Sequence, residues 1–94
     1  MVLNKRNDCD LSIGQLVKSK AGRDKGEVFI VIDIINHEYV FVVDGKLRKL
    51  SKPKKKKVKH LQKYDYIIED FGKMQEQTDF NDALIRRLIK SITN

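Results

Sequence analysis

Between residues 45 and 64 the chain carries ten Lys/Arg and no acidic residue, and four of the lysines, Lys54 to Lys57, are consecutive. Cations at that density attract a row of phosphates and displace its counterions, although a solvated tail or a targeting signal can share the composition. The flanking sequence has no such bias. Residues 1–44 hold six Lys/Arg against seven Asp/Glu and residues 65–94 four against six, so the formal charge of +7 arises entirely in the central block. A smaller basic group lies upstream in Gly22-Arg23-Asp24-Lys25-Gly26. Its two glycines allow a tight turn from which Arg23 and Lys25 project together toward an anionic backbone.

Other chemistries find little footing. The run AGRDKGEV lacks the G-x-x-x-x-G-K-[ST] spacing of a nucleotide-phosphate loop, and no Ser or Thr follows Lys25 to hold a metal. His37 and His60 are far apart, no serine stands in a nucleophile context, and the acids are scattered. Cys9 is the single cysteine, so it forms no internal disulfide and completes no metal-ligand spacing. The expectation is therefore a chain that is not an enzyme and uses no cofactor or metal. Tyr64 and Tyr66 are the better candidates for stacking on bases, while Tyr39 and Phe41 are expected to pack.

The elements that must present these side chains are mostly strands. Residues 27–35, EVFIVIDII, are β-branched and aromatic without helical spacing, and alternation puts Val28, Ile30, Ile32 and Ile34 on an apolar face. Glu27, Phe29, Val31, Asp33 and Ile35 then form a mixed one. Asn36-His37 gives a turn and 39–43, YVFVV, the antiparallel return. Asp44-Gly45 reads as a further hairpin turn into a short strand at 46–50. GQLVKSK, 14–20, supplies a first strand and KVKHL, 57–61, a fifth, with Lys54–Lys57 leading from the fourth to the fifth and Pro53 at a strand edge or connection. Leu47, Leu50, Val58 and Leu61 bracket the lysine run as apolar anchors. Five short strands with tight turns imply a mainly β fold, a small SH3-like barrel.

Beyond the strands, Leu84, Ile85, Leu88, Ile89 and Ile92 recur at helical spacing, with Asp79 or Asn81 as N-cap and Arg86, Arg87 and Lys90 toward the C-terminal end. This amphipathic helix is expected to lay its stripe on the mixed face near Phe29, Val31 and Ile35. The resulting organisation is an N-terminal extension over 1–11, the barrel over 12–62, a connecting segment over 63–78 in which YDYII could add a strand, and the helix over 79–93. At 94 residues with 40% hydrophobic content, one core is expected. No apolar run approaches the roughly 18 residues of a membrane span, and MVLNKRNDCD lacks the apolar core of a secretory signal, which points to the cytoplasm.

The phrase GQLVKSKAGRDKGEVFIVIDI resembles the KOW motif of large-subunit ribosomal proteins and NusG-type transcription elongation factors. Gly14 opens the first strand, Gly22, Asp24 and Gly26 mark the basic turn, and Val28 to Ile35 form the apolar second strand. Through the DGKLRKL and PKKKKVKHL segments the chain is similar to short bacterial KOW-domain RNA-binding proteins and their archaeal and eukaryotic ribosomal relatives. Phe29 departs from the smaller residue many ribosomal members carry. The resemblance spans about residues 12–61 and implies a ribosome-associated RNA-binding protein in translation, with ribosomal RNA as partner, monomeric when free. The expected RNA-binding residues are Lys18, Lys20, Arg23, Lys25, Lys46, Arg48, Lys49, Lys52, Lys54, Lys55, Lys56, Lys57, Lys59 and His60, forming one basic surface. A protein-interaction module of an elongation or ribosome-assembly complex is the alternative, with the helix stripe or YDYII as contact. KPKKKKVK, 52–59, also resembles a nuclear import signal, which ranks below RNA binding because the apolar anchors argue for a folded segment.

Overall fold

In the computed structural model, which describes residues 11–93, the apolar runs of the first half of the chain become strands. Strands β1 (Gln15–Ser19), β2 (Val28–Ile34) and β3 (Tyr39–Val43) follow one another as antiparallel neighbours. The β1–β2 turn is closed by Ser19 and Gly26, whose amide donates to the Ser19 carbonyl at 2.9 Å. Between β2 and β3, Asn36 Oδ1 accepts from the Glu38 and Tyr39 amides at 2.8 and 2.9 Å, the side-chain capping that makes Asn a turn residue.

The fourth strand is not where alternation suggests. Residues 46–50 are not a strand; β4 is Lys54–Lys57, the lysine run itself. Two physical causes combine. Asp44 turns its carboxylate onto the loop, accepting from the Lys46 and Arg48 amides at 2.9 Å each, so the backbone coils instead of extending. Valine-rich β3 then needs a partner along its free side, and Lys54 to Lys57 pair with Val42 to Tyr39. Pro53 stands immediately before this marginal strand, where its missing N–H breaks no ladder.

After a 3-10 turn (Val58–His60), β5 (Leu61–Ile67) takes in YDYI and pairs with β1, giving one five-stranded sheet in the order β4-β3-β2-β1-β5. The expected fifth strand at 57–61 thus corresponds to the end of β4, the 3-10 turn and the first residue of β5. A short helix α1 (Phe71–Met74) and α2 (Asp82–Thr93) complete the chain. Asn81, one of the two expected caps, accepts from the Leu84 amide at 2.9 Å.

The sheet has two apolar faces and buries both. Val17, Phe29, Val31, Val40, Val42 and Leu61 form one cluster, which also takes in Leu11; no residue of α1 or α2 belongs to it, so the sheet curls over its own face. Leu16, Ile30, Val43, Ile68, Phe71 and Ile85 form the other, with Leu88, Ile89 and Ile92 packed against it. The stripe of α2 therefore covers the face of Leu16, Ile30 and Val43, the reverse of the expected docking near Phe29, Val31 and Ile35. A register shift between Val31 and Asp33 explains why strict alternation misassigned the end of β2: the extra residue turns Ile34 to the side of Phe29 and Val31.

The expected boundaries move accordingly. Leu11, placed in the extension, is a core residue, and the sheet continues past 62 to Ile67, so the segment 63–78 is largely β5 and α1. Residues 1–10, with Cys9, and residue 94 lie outside the described residues.

Candidate nucleic-acid interface

β4 splits its four lysines between two environments. Directly opposed residues share a sheet face, so Lys54 and Lys56 lie with Val42 and Val40 toward the curled interior, and Lys55 and Lys57 with Phe41 and Tyr39 outside. Lys55 holds its Nζ 4.5 Å from the centre of the Tyr39 ring, a cation–π contact that occupies that face of Tyr39.

Lys56 is not a surface cation. It is 7% exposed and its ammonium is ringed by Asp24 Oδ1 at 3.0 Å, Ser19 Oγ at 3.1 Å and the Ala21 carbonyl at 3.4 Å, one acceptor for each of its three protons. Its expected role as an RNA contact gives way to a structural one, because leaving this cage would strand a carboxylate. Burial pushes the Asp24 carboxyl up. The hydrogen bonds from Ser19 and Lys56 and the charges of Lys56 and Lys54 outweigh that, and hold it below its ordinary value of 3.8. The same pair fixes the glycine turn. With Gly22 and Gly26 both at positive φ, +87° and +93°, the loop folds tightly enough for Asp24 to reach inward while Arg23 and Lys25 stay exposed.

A groove of about 330 Å³ lies between this turn, the β3–β4 loop and β4. Arg23 comes from the turn, Lys46, Leu47 and Arg48 from the loop and Lys54 from the strand; the two basic stretches of the sequence meet here. Leu47, expected as an apolar anchor, instead retains 85% of its surface at the rim, whereas Leu50, Val58 and Leu61 pack as anticipated.

The loop is held from behind by α2. Arg86 donates to the Gly45 carbonyl at 2.6 Å, and Asp82 Oδ1 accepts from the Leu50 amide at 2.9 Å. Gly45, at φ +79°, approaches so closely that a Cβ there would lie 2.5 Å from the Asp82 carbonyl oxygen and 2.9 Å from Arg86 Cγ. A second groove of about 460 Å³ opens on that side, lined by Lys46, Arg86 and Lys90 among others. The sequence presents Arg86 and Lys90 only as helix-end cations; their spacing of four residues along α2 is the signal that both share a face.

The remaining candidates are dispersed. Lys18, Lys20, Lys25, Lys49 and Lys52 are exposed but line neither groove. Lys57 and Lys59 line a separate recess of about 230 Å³ with His37, Glu38 and Val58, and His60 is half-buried in the 3-10 turn. The expected single basic surface thus resolves into a groove-lining set and outlying cations. Of the stacking candidates, Tyr64 packs against the helix-covered cluster and Tyr66 is exposed. Among the described residues no group of three His, Cys, Asp or Glu could hold a metal ion, and no helix is long and apolar enough to cross a membrane.

No protein-family model and no curated protein matches the chain.

Proposed function

We propose that this protein binds RNA, ribosomal RNA above all, as a cytoplasmic, ribosome-associated factor of the KOW type, by seating phosphates on the basic groove. The observation that carries the reading is the meeting of Arg23, Lys46, Arg48 and Lys54, supplied by three separate segments, around one concavity. Lysine and arginine ammonium and guanidinium groups arranged this way neutralise a phosphate backbone and carry little base information, so recognition rests mainly on RNA shape.

Titration with ribosomal RNA fragments at several salt concentrations tests it. About six phosphate contacts give a log-log salt slope near roughly −5 on duplex and about −4 on single strands. Joint replacement of Arg23, Lys46 and Lys54 by Gln is expected to flatten that slope by two to three units and to weaken all RNAs by similar factors. A salt-insensitive affinity, or a triple variant that binds as the parent does, removes the reading.

A second reading, docking of a protein, has one observation of its own. Ile13, Tyr66 and Ile67 keep 41%, 48% and 51% of their surface exposed beside the β1–β5 pairing. Its signature is a partner retained at high salt and lost on changing Tyr66 and Ile67 to Ser. The stripe of α2 is already committed to the protein's own core.

A further inference from the structure

The two grooves are neighbours: Glu27, Asp44 and Lys46 line both. Lys46 therefore stands at a junction, with Arg23, Arg48 and Lys54 on one side and Arg86 and Lys90 on the other. Three acids line this path, and two of them are committed elsewhere, leaving Glu27 as the exposed one. Asp44 accepts from the Lys46 and Arg48 amides, and Asp24 is bound by Lys56. The cations are left with a net excess along a bent, concave track.

The geometry points to an unpaired RNA strand as the ligand of this track, running from Arg23 and Lys54 past Lys46 onto α2 at Arg86 and Lys90. This inference rests on the RNA-binding reading above and adds the ligand class and two residues of α2. A duplex offers a convex, stiff surface whose phosphates meet the rim of a concavity, whereas a single strand bends into it and places successive phosphates along the row. The exposed Leu47 at the rim of the first groove gives an unstacked base an apolar surface that a paired base has no use for. The flanking volumes, about 330 and 460 Å³, are of the order of a small ligand each, so the whole track holds a few nucleotides and no more.

The experiment compares the parent with Lys90→Gln, Lys90→Arg and Arg87→Gln against fluorescent single-stranded RNAs of two to ten nucleotides and a blunt duplex of the same sequence. Arg87 is exposed on the same helix but lines neither groove, which makes it a matched loss of charge. At about 0.1 M salt one lost single-strand phosphate contact lowers affinity about fivefold and the salt slope by about 0.7. Lys90→Gln is expected to show that loss only with strands long enough to pass Lys46, Lys90→Arg to recover it, and Arg87→Gln to bind nearly as the parent. The longer single strands are expected to bind more tightly than the duplex. Equal losses for Lys90→Gln and Arg87→Gln, or tighter duplex binding, overturn the inference; if the Arg23, Lys46 and Lys54 replacements still weaken RNA, the broader reading survives it. If those replacements also have no effect, both fall together.

Discussion

Lys56 shows how a residue can belong to a basic run by composition and to a core by position. Its neighbours in sequence are solvated, yet its ammonium sits in a cage whose anion, Asp24, retains only 16% of its side-chain exposure. Removing one partner of such a pair leaves the other's charge short of partners, so Lys56→Ala is expected to cost about 2 kcal/mol in chemical denaturation, below the roughly 3–5 kcal/mol of a fully buried pair because water reaches Asp24. Replacing both residues by apolar ones should recover much of that loss. The depressed carboxyl of Asp24 adds a pH dependence of definite sign. The folded protein releases this proton more readily than the unfolded chain, so the stabilisation is complete above the ordinary value of 3.8 and is lost as the pH falls through the lower folded value. Denaturation between pH 2 and 6 should show Asp24→Asn losing less stability on acidification than the parent. Nothing in four identical letters tells which lysine turns inward; that follows only from the register with β3, where Lys56 faces Val40.

At the scale of elements, β1, β2 and β3 were legible to within a residue or two because Val, Ile and Phe favour a pleated, half-buried surface wherever they fall. β4 was not, since lysine has little strand preference and its conformation is imposed by β3 alongside. The turn of Arg23 and Lys25 was legible from its glycines, but the meeting of that turn with Lys46 and Arg48 depends on a loop held by the carboxylate of Asp44 and the side chains of α2. That coupling predicts a mutation effect at a distance. Gly45→Ala meets a left-handed backbone, the Asp82 carbonyl and the Arg86 side chain, so it is expected to lower the melting temperature and to weaken RNA binding by displacing the loop that carries Lys46 and Arg48. Ile85→Ala, emptying a fully buried site beneath the same helix, should cost about 2–4 kcal/mol in urea unfolding. A loss of RNA affinity in Gly45→Ala at a temperature where circular dichroism shows it folded separates loop placement from stability.

For the molecule as a whole, the charge separation seen along the chain becomes a spatial division. One face of the sheet is closed by its own curl, the other by α1 and α2, and Arg23, Lys46, Arg48, Lys54, Arg86 and Lys90 line the grooves where turn, loop and helix meet while the other cations are dispersed. The lysine strand is also a margin of the sheet, with its outer backbone groups unclaimed by a sixth strand among the described residues. A second molecule approaching to lengthen the sheet would have to bring its own backbone against a line of like charges, a repulsion expected to oppose pairing edge to edge. Restoring ordinary strand preference by changing Lys55 and Lys57 to Thr or Val should therefore make the isolated fold no less stable and the solution markedly more prone to aggregate, measurable by light scattering at matched concentration. Solubility, on this view, is a second use of the charges proposed to hold phosphate.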